Sequence, residues 1–331
     1  KKLFFLNLKK KLDSLNISSQ LDFKNKAITL FHEQFNKNFI YNQYCKLLKI
    51  KPNQVNELKH IPFIPIQFFK THKIVCNNDK ITHLFKSSGT GGSKSINYVS
   101  DISLYVKSFS KCFENFYGPI KDYIFLGLLP SYLEQKNSSL VYMINYFIKE
   151  SKYNESEFYL NDYKKLNKVL IKLRKENKRI ILFGVSYALL DFIEKYPINI
   201  RNLIVIETGG MKGRRIELTR EELHSRLSKG FNVENIHSEY GMTELFSQAY
   251  SKQKGIFKNP PWMKTLIRDI NNPFSVSNTG RGAINVIDLA NINTCAFIAS
   301  DDIGEIFDDF SFKINGRLSE SEIRGCNLMF N

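Results

Sequence analysis

No two of the five cysteines in this 331-residue sequence stand at a CxxC spacing; Cys45, Cys76, Cys112, Cys295 and Cys326 are scattered and odd in number. That excludes a zinc-ribbon or disulfide framework and predicts a reducing, cytoplasmic setting. The six histidines show no metal-ligand spacing. Runs of eighteen apolar residues are also missing, so no membrane-spanning helix is expected. Residues 1–11 alternate apolar and basic side chains without an apolar core or small-residue cleavage site, and no signal peptide is expected there. Acidic residues are few, 32 against 48 basic ones, for a net charge of +16. The lysines are nevertheless spread along the chain, abundant in 1–94 and 149–178, with no nucleic-acid-reading motif near them. Solvated helix faces are expected rather than a nucleic-acid surface, while an anionic substrate stays compatible with the charge. Internal repeats and long low-complexity linkers are lacking too.

Apolar and aromatic residues are plentiful. An apolar share of 43%, with 27 Phe and 16 Tyr, predicts a folded globular chain of one large or two ordinary domains. Residues 3–48 carry Leu, Phe and Ile at helical spacings and read as two or three amphipathic helices. Pro62 and Pro65 punctuate the apolar stretch 61–69, which reads as a connector, not a central strand, leading to a strand at 81–85. Beyond it the pattern predicts helices at 101–116, 138–148, 162–177 and 186–196, the last opened by Ser186. Strands are predicted at 123–129, 179–183 and 202–206. Strand–helix–strand alternation predicts an α/β fold with a parallel sheet, whose strand ends are where ligands bind. From Pro260 onward, 283–288, 295–298 and 310–314 read as antiparallel strands of a smaller terminal subdomain. The expected division is a helical region 1–80, an α/β nucleotide-binding core 81–255 and a β-rich part 256–331.

The stretch around which the rest is organised is Lys86-Ser-Ser-Gly-Thr-Gly-Gly-Ser-Lys94. Gly89, Gly91 and Gly92 let a backbone approach a ligand closely. Successive N–H groups, with the hydroxyls of Ser87, Ser88, Thr90 and Ser93, make an anion-binding concavity, and Lys94 adds a mobile cation. The loop departs from the phosphate loop of kinases and GTPases, which needs a glycine directly before the lysine where Ser93 stands. Taken alone, a hydrophilic hairpin turn accounts for it better.

Three further stretches bear on that choice. In His237-Ser-Glu-Tyr-Gly-Met-Thr-Glu244, Tyr240 offers a flat face, Thr243 a hydroxyl and Glu244 a hard oxygen ligand for Mg²⁺. His237 itself reads as a strand-end core residue. In Asp301-Asp-Ile-Gly-Glu305, Asp302 is placed to accept ribose hydroxyls, although an acidic β-turn explains the stretch equally well by itself. The last is Gly316-Arg317 with Ile323-Arg-Gly-Cys-Asn-Leu328.

In this order and spacing the four resemble the phosphate loop, the Tyr-Gly-x-[Ser/Thr]-Glu motif, the ribose aspartate and the Gly-Arg hinge region of adenylate-forming ligases. The segment 323–327 is similar to the Ile-Arg-Gly-Val-Asn of phenylacetate–CoA ligases. Within that superfamily the chain resembles the LuxE-like acyl-protein synthetases, through the Ser-Ser-Gly-Thr loop followed by Tyr98 and Asp101, and through Thr208-Gly-Gly-Met-Lys-Gly-Arg-Arg215. The resemblance implies an adenylate-forming large domain without the small lid domain and its lysine. It also implies ATP and Mg²⁺ as cofactors, a carboxylic acid of the fatty class as substrate, and an acyl reductase as partner. Residues 87–94 would grip the ATP phosphates. Gly209 and Gly210 would border adenine and acyl groups, with Tyr240, Gly241 and Met242 flanking the adenine. Thr243 and Glu244 would meet phosphate and Mg²⁺, Asp302 and Arg317 the ribose side, and Cys326 would take the acyl group. Without the lid lysine, Mg²⁺, Lys94 and the basic run Lys212–Arg215 are expected to offset charge at the α-phosphate. An apolar acyl pocket is expected behind Thr208–Met211. The other four cysteines read as packing residues. Two alternatives stay open: an aryl- or acyl-CoA ligase using a free thiol or carrier-protein thiol, and a non-catalytic relative that binds a nucleotide or a partner.

Overall fold

A computed structural model describes residues 14–77, 80–88, 93–130, 137–209, 215–216 and 218–318. The N-terminal region forms helices α1 (Gln20–Lys37) and α2 (Phe39–Leu47), capped by the side chains of Ser19 and Asn38. The apolar stretch that follows holds one two-residue strand, β1 (Ile64–Pro65), and the helical turn α3 (Phe68–Thr71). β1 runs parallel to Ile298–Ala299, and Ile66 N–H completes the pairing to the Ala299 carbonyl, so Pro65 needs no donor of its own.

Strands β2 (His83–Lys86) and β3 (Ile96–Val99) form a separate antiparallel hairpin, with Lys86 opposite Ile96. The Ser/Gly run therefore joins the two strands of this hairpin. Helix α4 (Ile102–Tyr117) follows, its N-cap Asp101 accepting from Ser103 N–H, with Leu104, Phe109 and Phe113 buried as their spacing predicts. Then come β4 (Tyr123–Leu128), α5 (Ser139–Glu150), β5 (Glu157–Phe158), α6 (Tyr163–Leu173), β6 (Arg179–Val185), α7 (Ser186–Lys195) and β7 (Leu203–Thr208). β4 is buried at every position, as a strand covered on both faces must be. Helix α8 (Arg220–Phe231) starts in a capping box of Thr219 and Glu222. Next are β8 (His237–Tyr240), β9 (Ala249–Ser251), β10 (Phe257–Lys258), β11 (Met263–Arg268), β12 (Val276–Ser277), β13 (Gly280–Asp288), β14 (Phe297–Ile306) and β15 (Phe312–Arg317).

Among the described residues one 13-stranded sheet runs β12-β11-β13-β14-β15-β10-β9-β8-β7-β6-β4-β5, with β1 on β14. The stretch from β8 to β5 is parallel and the rest antiparallel, apart from β1, which pairs parallel with β14. The β-rich part is thus continuous with the α/β part through the hydrogen-bond ladder β9–β10–β15. On one face of the parallel strands Phe113 of α4 and Phe147 of α5 pack on Phe125. On the other, α7 and α8 lie together, Phe192 stacked on Phe231.

One expected cap is not made. Ser186 does not cap α7, whose N-cap is Val185 without a side-chain bond. The Ser186 hydroxyl donates instead to Glu207 and to the Gly209 carbonyl, because that interior cluster offers better acceptors than the helix end offers donors. No helix among the described residues is long and apolar enough to cross a membrane.

Candidate active site

Antiparallel register assembles the first part of the site. Asp302 on β14 lies directly opposite Arg317 on β15, and Arg317 Nε sits 3.1 Å from Asp302 Oδ1. The other carboxyl oxygen accepts from the Tyr240 hydroxyl at 2.8 Å, across the sheet from the end of β8. Asp302 is 7% exposed. Burial raises its carboxyl above the usual carboxylate range, while the Arg317 charge and the Tyr240 bond pull the other way. The Arg317 side chain is 65% exposed, so its charge faces solvent and this pair contributes little to stability by itself. Tyr240 is not an open platform. Its ring is 9% exposed and set edge-on against Phe257 and Phe312, so its hydroxyl, rather than a free ring face, is what it brings to Asp302.

The second part is the loop after β8, held by four side chains distant in sequence. Asn97 of β3 donates to the Thr243 carbonyl at 2.9 Å, and Asn291 to the Glu244 carbonyl at 2.7 Å. Asp288, at the end of β13, accepts from Phe246 N–H at 2.8 Å, from Ser247 N–H at 3.0 Å and from the Ser247 hydroxyl at 2.6 Å. Ser95 hydrogen-bonds the Glu244 carboxyl itself. Glu244 is 3% exposed, and burial raises its carboxyl; Ser95 and the Arg317 charge counter that, and the Asp302 charge adds to it. Glu244, Asp302 and Arg317 therefore feel one another electrostatically. The Ser247 hydroxyl also takes the indole N–H of Trp262, tying this loop into the core.

The base of the Ser/Gly hairpin meets the same loop. Ser87 N–H donates to the Ser95 carbonyl and the Ser87 hydroxyl accepts from Ser95 N–H, both at 3.0 Å, closing the hairpin below its tip. Ser88 is half-buried; Ser93 and Lys94 are exposed. Gly89, Thr90, Gly91 and Gly92 lie outside the described residues, as do Gly210 and Cys326. Gly209 follows β7 at φ 64°, the left-handed region that favours glycine. Gly241 is exposed at the turn after Tyr240, and Met242 is half-buried beside it.

Arg215, expected with its neighbours at the α-phosphate, is engaged elsewhere. Its guanidinium grips Asp191 and Glu194 of α7, Nε at 2.9 Å and Nη1 at 2.7 Å. Residues 212–214 lie outside the described set. His237 behaves as the core residue expected, stacked on Tyr117, with burial lowering its pKa to about 4 and leaving it neutral. Cys45, Cys76, Cys112 and Cys295 are buried, as packing residues should be. Burial pushes the Cys45 thiol up to about 12. The anchors Ser95, Asn97, Asp288 and Asn291 carry no sequence signature; a polar Asn97 between Ile96 and Tyr98 reads as outward-facing, and only the fold shows it buried and what it meets.

The donor set suits a divalent cation brought by a polyphosphate. Among the described residues no group of three or more His, Cys, Asp or Glu could cage a metal. A single buried carboxylate such as Glu244 is what a Mg²⁺ sharing its ligands with phosphate and water requires.

The family described as acyl-protein synthetase, LuxE, matches residues 13–331 of the chain. A long-chain-fatty-acid–luciferin-component ligase of Vibrio harveyi is 23% identical over 323 residues, covering 90% of this chain and 84% of that protein. The crystal structure of 2-hydroxyisobutyryl-CoA ligase in its postadenylation state superposes with a TM-score of 0.65 at 11% identity, over 90% of this chain and 67% of that one. ATP-bound MatB from Rhodopseudomonas palustris superposes at 0.55 with 14% identity, over 72% of this chain and 48% of MatB, about half its length. At these identities what is shared with the two structures is the fold.

Proposed function

The chain belongs to the LuxE acyl-protein synthetase family, and from that premise we propose that it is an AMP-forming ligase. It activates a long-chain fatty acid with ATP and passes the acyl group to a thiol. The observation that carries this is the convergence of Glu244, Asp302, Tyr240 and Arg317 with the base of the Ser/Gly hairpin, from four separated parts of the sequence.

In the first step a fatty carboxylate oxygen attacks the α-phosphorus of ATP, forming an acyl–phosphate bond as the bond to pyrophosphate breaks. Residues 87–94 bind the phosphates through hydroxyls, backbone N–H groups and the exposed Lys94. Asp302 accepts from the ribose hydroxyls, oriented by Tyr240 and Arg317. Gly209, Gly210, Gly241 and Met242 border the adenine and the acyl chain, and Thr243 donates to phosphate. Glu244 would hold Mg²⁺, which would supply positive charge against that developing on the phosphate oxygens. In the second step the Cys326 thiolate attacks the acyl carbon, a thioester forms and AMP leaves. The thioester is then handed to a partner protein such as an acyl reductase. A reducing cytoplasm, in which Cys326 stays a thiol, suits this chemistry.

The test is ATP–pyrophosphate exchange across a panel of carboxylic acids, combined with labelled fatty acid and hydroxylamine. Wild-type protein should exchange and acquire a hydroxylamine-labile label. Cys326→Ser should keep exchange and lose the label, and Glu244→Gln should lower exchange by ~10²–10³. Exchange with no acid in the panel would leave a nucleotide-binding relative. Label found only on soluble CoA would make it a CoA ligase.

A further inference from the structure

One half-buried acid beside the site has no part in that chemistry. Glu239 stands on β8 immediately before the Tyr240–Gly241 turn. Register places its side chain on the same sheet face as Thr208, the last residue of β7, whose hydroxyl donates to Glu239 Oε2 at 2.6 Å. The other oxygen lies against the turn, where a Cβ at Gly241 would stand only 2.3 Å from Oε1. One carboxyl group thus spans the ends of two adjacent strands. β7 runs on into Gly209–Gly210, and β8 into Tyr240–Glu244.

We propose that Glu239 is a positioning residue, its carboxyl holding the end of β7 against the Tyr240–Gly241 turn so that the two glycine-bearing strand ends face the acyl-adenylate in fixed register. This rests on the activity proposed above.

The surroundings say which form does this. The Glu239 charge is felt by Tyr105, Cys112 and Tyr117 of α4 and by Tyr250 of β9, and Glu239 feels the charge of Glu207 from the opposite face of the sheet. Burial raises the three phenols and the thiol, which stay neutral, and His237 on the same strand is neutral as well. Lys252 lies over the ring of Tyr117, at 5.5 Å, and its charge also acts on His237. Burial would raise Glu207, but the His224 bond, the Arg220 charge and the Ser238 bond bring it below its ordinary value, so it is ionised. Burial first, and the Glu207 charge in addition, push Glu239 up to about 7, against the Thr208 bond. The neutral acid keeps an acceptor for Thr208 and places no charge beside the incoming carboxylate and phosphates. Ionised Glu239 would repel both.

Exchange with tetradecanoate, run with the full chain at saturating ATP, tests this. Wild-type kcat/KM should fall about tenfold per pH unit above about pH 7. Glu239→Gln, permanently neutral and able to accept from Thr208, should keep activity at pH 7 and lose that decline. Glu239→Ala should raise KM and lower kcat at every pH. An unchanged alkaline decline in Glu239→Gln, or wild-type kinetics in Glu239→Ala, would overturn the proposal. Melting supplies a readout without turnover. An acid raised in the folded state stabilises it below the unfolded pKa and loses that contribution as pH rises through the folded pKa. Wild-type Tm should therefore drop relative to Glu239→Gln between about pH 4.5 and about pH 7. A constant difference would overturn the proposal. Absence of exchange in the wild type at every pH would overturn the activity instead, and the melting series would then decide Glu239 alone.

Discussion

At the scale of single residues, the site is built from acids that water cannot reach freely. Asp302 tolerates burial because Tyr240 and Arg317 satisfy its two oxygens from opposite sides. Tyr240→Phe keeps the ring packing on Phe257 and Phe312 and removes only the donor. It should cost about 1–3 kcal/mol, the usual consequence of leaving a buried acceptor unpaired. Urea unfolding measures this as a lower midpoint with an unchanged slope. If Asp302 serves the ribose, the same variant should raise KM for ATP more than it lowers kcat. The residue type at 240 is plain in the sequence because Tyr-Gly-x-Thr-Glu is a pattern; its use as a donor to residue 302 is not, because 62 positions separate them.

At the scale of elements, the loop 242–247 has little regular structure and is shaped by what surrounds it. Asn97, Asn291 and Asp288 come from β3, the turn after β13 and the end of β13. The β2–β3 hairpin contributes Asn97 and carries the Ser/Gly run between its strands, so one element bears on both the proposed phosphate loop and the carbonyl before Glu244. Asn97→Ala should therefore divide its effects unequally. Loss of one hydrogen bond should cost about 0.5–1.5 kcal/mol of stability. Displacement of Thr243 and Glu244 by even ~1 Å should lower exchange by ~10². Calorimetry and the exchange assay on the same preparation measure the two. The helices were legible in advance wherever caps and periodicity agreed, as at Asp101 with Leu104, Phe109 and Phe113. Ser186 shows the limit, since its hydroxyl found stronger acceptors in Glu207 and the Gly209 carbonyl.

At the scale of the molecule, the parallel and antiparallel halves share one hydrogen-bonded sheet, and the carboxylates of the proposed site, Glu244 and Asp302, sit on both sides of the join. Trp262, the single tryptophan, is fully buried there and donates to Ser108 of α4 and Ser247 of the loop. Its fluorescence thus reports the contact between the α/β part and the β-rich part. Far-UV circular dichroism and Trp262 fluorescence should give one common unfolding midpoint in urea. Two separated midpoints would mean that residues 256–318 unfold as a unit of their own.

The sequence by itself determined the composition class, the alternation of buried strands with amphipathic helices, and the four motifs with their residue types and order. Those are local properties: period, capping chemistry and the conformational freedom of glycine act within a few residues. Only the tertiary structure decided which side chains meet. Cross-strand register set Asp302 opposite Arg317, sheet parity turned Thr208 and Glu239 to one face and Glu207 to the other, and burial set the protonation of Glu239 and the neutrality of His237. The same long-range packing drew Arg215 to Asp191 and Glu194 and away from the phosphate role its basic neighbourhood suggested. Desolvation and ion pairing depend on neighbours far away along the chain, and no local pattern encodes them.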